Sequence, residues 1–280
     1  MKVLVTGATG FVGYYVIHEL LAQGIKVVCS ARDRQRAQEK DWYPRVEFVA
    51  YDLNQQEDNL SEKFHHPDAL IHLAWQGLPN YKNLDHLEKE YGKQDRFLKQ
   101  WIDEGLKNMT VTGTCFEYGM HEGLLKETDH PDPDNPYALA KDTLRRSIEV
   151  YKSSHDISFK WLRLFYMYGK GQNEKSILPQ LQQSINREDK VFNMSQGDQI
   201  RDYLPVEKVA KYIVACALQT RIEGIINVCS NQPIKIIELV KKYLSDTKQT
   251  ISLNLGFYPY PDYEPFAFWG DNSKLLDIIQ

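Results

Sequence analysis

Lys2-Val-Leu-Val-Thr-Gly-Ala-Thr-Gly-Phe-Val-Gly13 is the segment from which the fold of this chain can first be inferred. Its first part, Lys2–Thr6, is a short β-branched run that predicts a buried strand. Three glycines follow, and apolar residues then recur at helical spacing until Gly24. Strand, glycine turn and helix in this order are typical of dinucleotide binding, because glycines let the backbone approach a pyrophosphate and the helix N-terminus supplies amide donors.

Strand and helix patterns alternate after this unit. Strand-like runs occupy residues 26–30, 46–51, 69–73, 109–114 and 159–164, and residues 84–105 have a polar helical pattern. This alternation predicts a doubly wound parallel α/β sheet of the Rossmann type. We place a dinucleotide-binding domain at residues 1–165 and a smaller α/β domain, mainly for substrate, at residues 166–280, with an interleaved and approximate boundary. Residues 177–185 have a mixed amphipathic pattern there, and helices are predicted at residues 206–218 and 236–244.

Composition narrows the functional class. The 280 residues carry a net charge of −4, which gives no support for binding to nucleic acid or to a membrane surface. No apolar run approaches the roughly 20 residues that a membrane helix needs, and the chain begins directly with a strand, so we expect no signal peptide. The four cysteines lack C-x-x-C spacing and fit reduced thiols in a cytoplasmic protein. No group of side chains has metal-ligand spacing, so no metal is expected.

Cofactor contacts are predicted where the first four strands end, because ligands bind at the carboxyl ends of such strands. Strand two ends in Cys29-Ser30-Ala31-Arg32, without the acid that would hold a ribose 2′-hydroxyl. Ser30 and Arg32 can instead donate to a 2′-phosphate, so NADP(H) is favoured and NAD(H) is the alternative. Arg32 in a solvated basic loop is the other interpretation. The predicted cofactor-binding residues are Gly7, Thr9, Gly10, Phe11, Val12, Gly13, Ser30, Arg32, Asp52, Leu53, Leu73, Ala74, Trp75, Tyr137 and Lys141.

Tyr137 and Lys141 are the candidate acid–base pair. Asn135 can cap a helix that starts at Pro136, and a spacing of four residues places the pair on one helical face. A buried ammonium there can stabilise phenolate and lower the pKa of the phenol from its usual value of about 10. Such a tyrosine can exchange a proton with an alcohol or ketone near neutral pH. Taken alone, however, this spacing is more often a solvated helix face.

Several short motifs in order give the chain a family resemblance. They are Gly7-x-x-Gly10-x-x-Gly13, Asp52-Leu53, His72-Leu73-Ala74, Thr114-x-x-x-Tyr118-Gly119, Tyr137-x-x-x-Lys141, Leu162-Arg163-Leu164-Phe165, Arg201-Asp202-Tyr203-Leu204-Pro205-Val206 and Trp269-Gly270-Asp271-Asn272-Ser273-Lys274. Together they resemble the extended short-chain dehydrogenase/reductases, the NAD-dependent epimerase/dehydratase family, that act on nucleotide sugars. The resemblance covers nearly the whole chain and implies a nucleotide-sugar substrate and a homodimer.

The resemblance also implies roles for individual residues. Thr114 would hydrogen-bond the reacting oxygen, Tyr137 would donate or accept the proton, and Lys141 would hold the nicotinamide ribose and tune Tyr137. Arg201 matches an arginine that contacts the sugar diphosphate, and an ion pair with Asp202 is its alternative. The predicted substrate-binding residues are Thr114, Cys115, Phe116, Tyr137, Tyr166 and Arg201.

Two positions depart from the family pattern. Tyr166 stands where many members have Asn, and residues 258–271 lack the second phosphate-binding arginine. The nucleotide base is therefore left open.

The reaction class is predicted from the residues after Thr114. Sugar 4,6-dehydratases of the family carry an acid directly after the catalytic threonine, whereas this chain has Cys115-Phe116 there and Glu117 one residue later. A one-residue shift in a strand-like segment turns the side chain to the opposite face, so dehydration is disfavoured and Glu117 is expected behind the site.

Reduction is then the favoured reaction. Residues 113–119 and 72–81 resemble bacterial NADPH-dependent reductases of dTDP-4-dehydro-6-deoxyglucose and related 4-keto sugars, which serve deoxysugar or surface-polysaccharide biosynthesis. The alternatives are an NAD-dependent nucleotide-sugar 4-epimerase and a non-catalytic NAD(P)-binding protein, since a Rossmann fold does not itself establish activity. The C4 configuration of the product and the pathway are not defined by the sequence.

Overall fold

The structure is a computed structural model that describes residues 1–260, 262 and 264–279. Pro261 and Tyr263, which belong to the 258–271 stretch considered above, and Gln280 lie outside the described residues.

Strands and helices follow the chain in the order that the sequence pattern indicates. The strands are β1 (Lys2–Thr6), β2 (Lys26–Ala31), β3 (Glu47–Ala50), β4 (Ala69–His72), β5 (Asn108–Thr114), β6 (Gly123–Leu125), β7 (Ser158–Leu164), β8 (Tyr166–Tyr168), β9 (Val191–Asn193), β10 (Ile200–Pro205), β11 (Gly224–Val228), β12 (Pro233–Lys235), β13 (Ser252–Asn254) and β14 (Phe268–Gly270). The helices are α1 (Phe11–Ala22), α2 (Arg34–Gln38), α3 (Leu60–Lys63), α4 (Tyr91–Asp103), α5 (Pro136–Tyr151), α6 (Ile177–Asn186), α7 (Val206–Leu218), α8 (Ile236–Thr247) and α9 (Ser273–Ile279). Short 3₁₀ turns cover Tyr43–Arg45, Cys115–Tyr118 and Lys152–Ser154, and a π-helical turn covers His86–Glu90.

Seven of the described strands form one parallel sheet in the order β11-β7-β5-β4-β1-β2-β3. Alternate residues of β1 point to opposite faces: Val3 and Val5 pack with the α1 and α7 side chains, and Leu4 packs with α4 and α5. Because helices cover both faces, the central strands β1, β4 and β5 are buried along almost their whole length. The predicted doubly wound Rossmann-type sheet is confirmed.

Residues beyond 165 contribute to both layers of the molecule. α7 lies against α1, and β11 pairs with β7 at the edge of the large sheet. The remaining elements form small sheets, β12-β10-β8, β13-β9 and β14-β6, with a separate apolar core that includes Leu181, Phe192 and Val240. The chain therefore returns to the large sheet after first forming strands of the small sheets.

Residues 84–105, predicted as one helical pattern, contain two kinds of helix. A π-helical turn at His86–Glu90 leads directly into α4. Within residues 1–260, 262 and 264–279, no helix is long and apolar enough to cross a membrane. The same described part of the chain has no cluster of three His, Cys, Asp or Glu residues that could hold a metal ion.

Candidate active site

The glycine turn between β1 and α1 leaves no room for side chains. Gly7 has φ +71°, and a Cβ built on it would lie 2.9 Å from the backbone nitrogen of Ala74. A Cβ on Gly13 would overlap the carbonyl oxygen of Gly7. Gly10 is the N-cap of α1 and has no side chain to occupy the first amides of the helix. The turn is therefore shaped for a ligand that approaches the backbone closely, and a dinucleotide pyrophosphate fits this requirement.

A cavity of about 270 Å³, called here the dinucleotide cavity, extends from this turn along the ends of the strands. Arg32, which follows β2, and Arg36, which lies in α2, line this cavity, and within the described residues neither guanidinium has a hydrogen bond or an ion pair. Asp33 caps α2 by accepting from the Arg36 backbone nitrogen at 3.0 Å, so its carboxylate is engaged. Predicted cofactor residues on this wall are Gly7, Thr9, Gly10, Ser30, Arg32, Leu53, Leu73, Ala74 and Trp75.

Asp52 and Gly13 were predicted as cofactor contacts but do not line this cavity. Asp52 uses its Oδ1 atom to accept from the backbone and side-chain nitrogens of Asn54, both at 2.9 Å. Its side chain therefore stabilises the turn after β3. Gly13 lies behind the cavity wall. Because it has no side chain, the Gly7 carbonyl oxygen can pack against it, as the glycine turn requires.

A second cavity of about 390 Å³, called the catalytic cavity, shares Leu73 and Trp75 with the first. The structure brings Thr114 from β5 and Tyr137 and Lys141 from α5 together on its wall. Asn135 caps α5 by accepting from the Ala138 backbone nitrogen at 3.0 Å, as its sequence position predicts. Other predicted site residues on this wall are Phe11, Val12, Cys115, Phe116 and Tyr166.

Tyr137 is only 7% exposed and lies among aromatic rings. Its ring centroid is 5.5 Å from that of Tyr81, 5.3 Å from that of His86 and 5.9 Å from that of Trp75. Burial raises the pKa of the phenol well above its usual value, and a hydrogen bond from Thr114 opposes this only in part. The predicted lowering of this pKa is therefore not found in the chain by itself, because the loss of solvation and the nearby Glu117 carboxylate both raise it.

Lys141 is buried beside Tyr137 but makes its contacts elsewhere. Its Nζ atom donates to the carbonyl oxygen of Thr112 at 2.8 Å and lies 4.0 Å from the centroid of the Trp75 ring. Burial lowers the pKa of the ammonium to about 7, although the carboxylates of Glu117 and Glu90 oppose the shift. The ammonium is therefore close to its titration point at neutral pH, where nearby charge can change its protonation.

Thr114 is held in place by Glu117, which is fully buried behind the cavity. Glu117 accepts from the Thr114 backbone nitrogen at 2.9 Å, from Trp161 Nε1 at 2.9 Å and from Arg163 Nε at 2.8 Å. The Thr114 hydroxyl oxygen accepts from the Phe116 backbone nitrogen at 3.3 Å, so its own proton can be donated on the side of the cavity where Tyr137 lies. Glu117 thus points away from the reacting position, as expected. It does so from a 3₁₀ turn, however, and not from the strand-like segment on which the expectation was based.

A third cavity of about 680 Å³, called the substrate cavity, continues from the catalytic cavity into the smaller layer. The two share Pro79, Tyr81, Tyr166, Gln172, Asn173 and Ser176. Only Tyr166 of these was predicted. Tyr81 belongs to residues 72–81, which carried part of the family resemblance, so it could have been predicted from the sequence. Gln172, Asn173 and Ser176 follow β8 in a polar loop without a recognisable motif.

Arg201 is 1% exposed and does not lie on the wall of any of these three cavities. Its Nη2 donates to Glu264 at 2.9 Å, and its Nη1 donates to the carbonyl oxygens of Ile200 and Phe266. The alternative pairing with Asp202 is wrong, because Asp202 accepts from the backbone nitrogens of Ser230 and Asn231 instead. The diphosphate contact of Arg201 stays a prediction, and Glu264 is the carboxylate between it and the substrate cavity.

Comparisons with known proteins agree with this arrangement. A protein of Aggregatibacter actinomycetemcomitans named dTDP-6-deoxy-L-talose 4-dehydrogenase (NAD(+)) is 26% identical over 272 residues, which cover 96% of this chain and 99% of that protein. "Uncharacterized UDP-glucose epimerase YtcB" of Bacillus subtilis (strain 168) is 25% identical and covers 100% of this chain and 92% of its own length.

A solved structure shows the same fold. UDP-glucuronic acid 4-epimerase from Bacillus cereus, in complex with UDP-glucuronic acid and NAD, aligns with a TM-score of 0.83 at 24% identity, over 100% of this chain and 93% of that one. The family model described as "NAD dependent epimerase/dehydratase family" matches residues 3–229. With its parallel sheet, its glycine turn and the Thr114, Tyr137 and Lys141 set, the chain belongs to the NAD dependent epimerase/dehydratase family.

Proposed function

We propose that this protein reduces the 4-keto group of a nucleotide-activated 6-deoxyhexose with a nicotinamide dinucleotide. The observation that carries the proposal is the meeting of Thr114, Tyr137 and Lys141 where the dinucleotide and substrate cavities join through the catalytic cavity. The relative named as a 6-deoxy-talose 4-dehydrogenase, which matches over nearly the whole of both chains, supports C4 of such a sugar as the reacting carbon.

The state of Tyr137 supports the direction of the reaction. Because burial raises the pKa of Tyr137, the chain holds it as a neutral phenol, which is the form that can give a proton to a developing alkoxide. The Thr114 hydroxyl can donate a hydrogen bond to the same oxygen. A bound nicotinamide would supply hydride. Lys141, one turn after Tyr137 in α5, would contact the cofactor ribose and would favour negative charge as it develops on the phenol oxygen.

The position of Glu117 supports reduction over dehydration. An elimination needs a second acid or base at the sugar, but the Glu117 carboxylate is fully buried and is engaged by Thr114, Trp161 and Arg163. Cys115, the residue that follows Thr114, is buried, and burial raises the pKa of its thiol, so the thiol stays protonated and a poor base. No second base therefore stands beside Thr114 where the family's dehydratases carry one.

The direct test is oxidation of NADPH and NADH by the purified protein with freshly made dTDP-4-dehydro-6-deoxyglucose. We expect loss of the reduced-cofactor absorbance that depends on both enzyme and keto sugar, with a single 4-hydroxy product by NMR. No oxidation with this sugar, or with the corresponding UDP, GDP and CDP 4-keto sugars, would overturn the proposal.

Arg32 is the residue that should decide the choice of cofactor, and the two lines of support differ here. The free guanidinium groups of Arg32 and Arg36 on the cavity wall support NADP(H), whereas the name of the dehydrogenase relative specifies NAD(+). We retain NADP(H) because it follows from this chain's own residues. If a 2′-phosphate lies against Arg32, Arg32→Ala should raise the KM for NADPH by about tenfold or more, since a charged hydrogen bond contributes roughly 1.5–3 kcal/mol.

Initial-rate kinetics with both cofactors provide the measurement, and the KM for NADH should change little. Arg34→Ala is the matched control, because Arg34 donates to the Tyr43 hydroxyl and lies over the Phe48 ring rather than on the cavity wall. Equal losses with NADPH and NADH in Arg32→Ala, or a wild-type preference for NADH, would contradict the NADP(H) assignment.

A nucleotide-sugar 4-epimerase is the second candidate, favoured by the full-length match to a relative named as a UDP-glucose epimerase. An epimerase takes a hydride and returns it to the same carbon, so it has no net demand for cofactor and should retain NAD through purification. Finding about one NAD per chain after purification, together with interconversion of UDP-sugars without added cofactor, would favour this candidate.

The proposal includes a cytoplasmic homodimer. The four cysteines are all buried and unpaired, which supports a reducing compartment. The family resemblance supports the dimer, and exposed Leu139 and Val150 on α5 offer apolar surface for it. Light scattering of the purified protein measures the oligomeric state directly.

A further inference from the structure

The segment of residues 73–76, which follows β4, forms a wall of the dinucleotide cavity. Leu73, Ala74, Trp75 and Gln76 all line that cavity. A Cβ on Gly7 would lie 2.9 Å from the Ala74 backbone nitrogen, so this segment packs directly against the glycine turn. The conformation of the 73–76 segment therefore sets the width of the space that a dinucleotide has to enter.

A buried chain of hydrogen bonds holds this segment, and its donors and acceptors can be assigned in only one way. Gln94 Nε2 donates both its protons, to the Ala74 carbonyl oxygen at 3.0 Å and to Glu90 Oε1 at 2.7 Å. Gln94 Oε1 must then accept from His72 Nε2, 2.6 Å away. His72 Nδ1 is consequently an acceptor, and Thr6 Oγ1 donates to it at 2.9 Å. The Thr6 oxygen can in turn accept from the backbone nitrogens of residues 73 and 74.

Glu90 is the anionic end of this chain and is also bonded to the segment itself. Its Oε1 accepts from the Gln76 backbone nitrogen at 3.1 Å, and its Oε2 pairs with Lys93 Nζ at 2.6 Å. The Glu90 and Lys93 side chains are 5% and 7% exposed, so water screens the pair little.

The π-helical turn before α4 explains why these groups converge. A π-helical turn has i→i+5 hydrogen bonds, is rare and is frequently found at functional sites. Here it turns both its first residue, His86, and its last, Glu90, into the protein. His86 accepts from Trp75 Nε1 at 3.1 Å and donates to the Asn80 carbonyl oxygen at 2.9 Å. The π-helical turn and the first turn of α4 thus hold the 73–76 segment by three groups: the Ala74 carbonyl oxygen, the Trp75 indole and the Gln76 backbone amide.

We propose that Glu90, Gln94 and His72 are positioning residues for the dinucleotide, with Glu90 the one on which the arrangement depends most. Glu90 and Gln94 also line the dinucleotide cavity, but their side-chain oxygen and nitrogen atoms are engaged within this network. Their function is to hold the 73–76 segment in the binding conformation before the cofactor arrives, so that binding does not have to order it. The inference rests on the proposed function only in taking the ligand to be a nicotinamide dinucleotide.

The test is Glu90→Gln, assayed by calorimetric titration of the purified protein with NADPH and with NADH. A glutamine of the same size cannot accept from the Gln76 and Gln94 nitrogens and also satisfy the Lys93 ammonium, so the segment loses a contact. We expect the Kd of the preferred dinucleotide to rise about tenfold. The KM for the cofactor should rise together with this Kd, and by a larger factor than kcat falls. The KM for the keto sugar should stay unchanged.

The double variant Glu90→Gln/Lys93→Met separates positioning from a general loss of structure. Without the ammonium, the glutamine oxygen can again accept from Gln76 and Gln94, and we expect a Kd within about threefold of wild type. Glu88→Gln is the matched control, because Glu88 lies exposed in the same turn and should leave the Kd unchanged. If the single variant does not fold, a folded double variant whose Kd exceeds that of wild type by more than about threefold overturns the inference.

Three results would overturn the inference: a wild-type Kd in folded Glu90→Gln, a double variant that binds as weakly as the single one, or an equal loss in Glu88→Gln. A wild-type protein that binds neither NADPH nor NADH would instead refute the proposed function together with the inference.

Discussion

Replacing Tyr137 with Phe should lower kcat for keto-sugar reduction by about 10²–10⁴-fold, the range that a positioned acid or base contributes. The phenyl ring retains the contacts with Trp75, Tyr81 and His86, so only the proton-donating hydroxyl is lost. Because the dinucleotide cavity is lined by other residues, Kd for the dinucleotide should stay within about threefold of wild type. Single-turnover kinetics and calorimetry provide the two measurements.

Tyr243→Phe is the matched control for this prediction. It also removes one tyrosine hydroxyl and one hydrogen bond, from Tyr243 to Gln182 at 2.6 Å, but it does so in α8, outside the walls of the three cavities. Its kcat should equal that of wild type. A Tyr137→Phe protein that turned over within a factor of about ten of wild type would remove Tyr137 from the role of acid, since a positioned acid contributes more than that.

Glu117→Gln should destabilise the fold by about 3–5 kcal/mol, the cost of removing one partner of a buried ion pair. Glu117 and Arg163 are both fully buried, so the remaining guanidinium would have no water to replace the carboxylate. The Thr114 backbone nitrogen and Trp161 Nε1 would keep an oxygen acceptor, which isolates the loss of charge. The free energy of unfolding in urea provides the measurement.

Two further variants interpret that result. Glu117→Gln/Arg163→Met removes both charges and should recover part of the lost stability, because the uncompensated guanidinium is gone. Asp246→Asn, which breaks the exposed Lys242–Asp246 pair of α8, should cause no measurable change. If Glu117→Gln unfolded at the same urea concentration as wild type with the same slope, the buried pair would contribute little to stability.

The dinucleotide-binding half could be predicted because its signals are local. The strand at Lys2–Thr6 and the helix at Val206–Leu218 were predicted with the bounds that the structure has. β11 was missed, because Gly-Ile-Ile-Asn-Val is short and its central positions become a strand only by pairing with β7. The π-helical turn was missed for a related reason: its residues have ordinary helical spacing, and it is the inward contacts of His86 and Glu90 that distinguish it.

The candidate site also has features that the sequence could predict and features that it could not. Helical spacing paired Tyr137 with Lys141, and the family resemblance added Thr114 at the end of β5. The partner of Arg201 is Glu264, 63 residues further along the chain, and no local pattern connects them. The pKa of Tyr137 depends on how deeply the ring is buried, which the spacing of Tyr137 and Lys141 does not report.

The place of β11 at the edge of the large sheet bears on how the protein is synthesised. β7 is complete at residue 164, but the strand that pairs with its outer edge ends at residue 228. At roughly 5–20 residues per second, the ribosome needs about 3–13 seconds to deliver those residues. During that time the nascent chain presents an unpaired, apolar strand edge and a sheet face that α7 has not yet covered. The yield of folded protein should therefore depend on chaperones that protect this surface, or on aggregation that is slower than synthesis of residues 165–228. A fragment that ends at residue 165 would keep this strand edge unpaired.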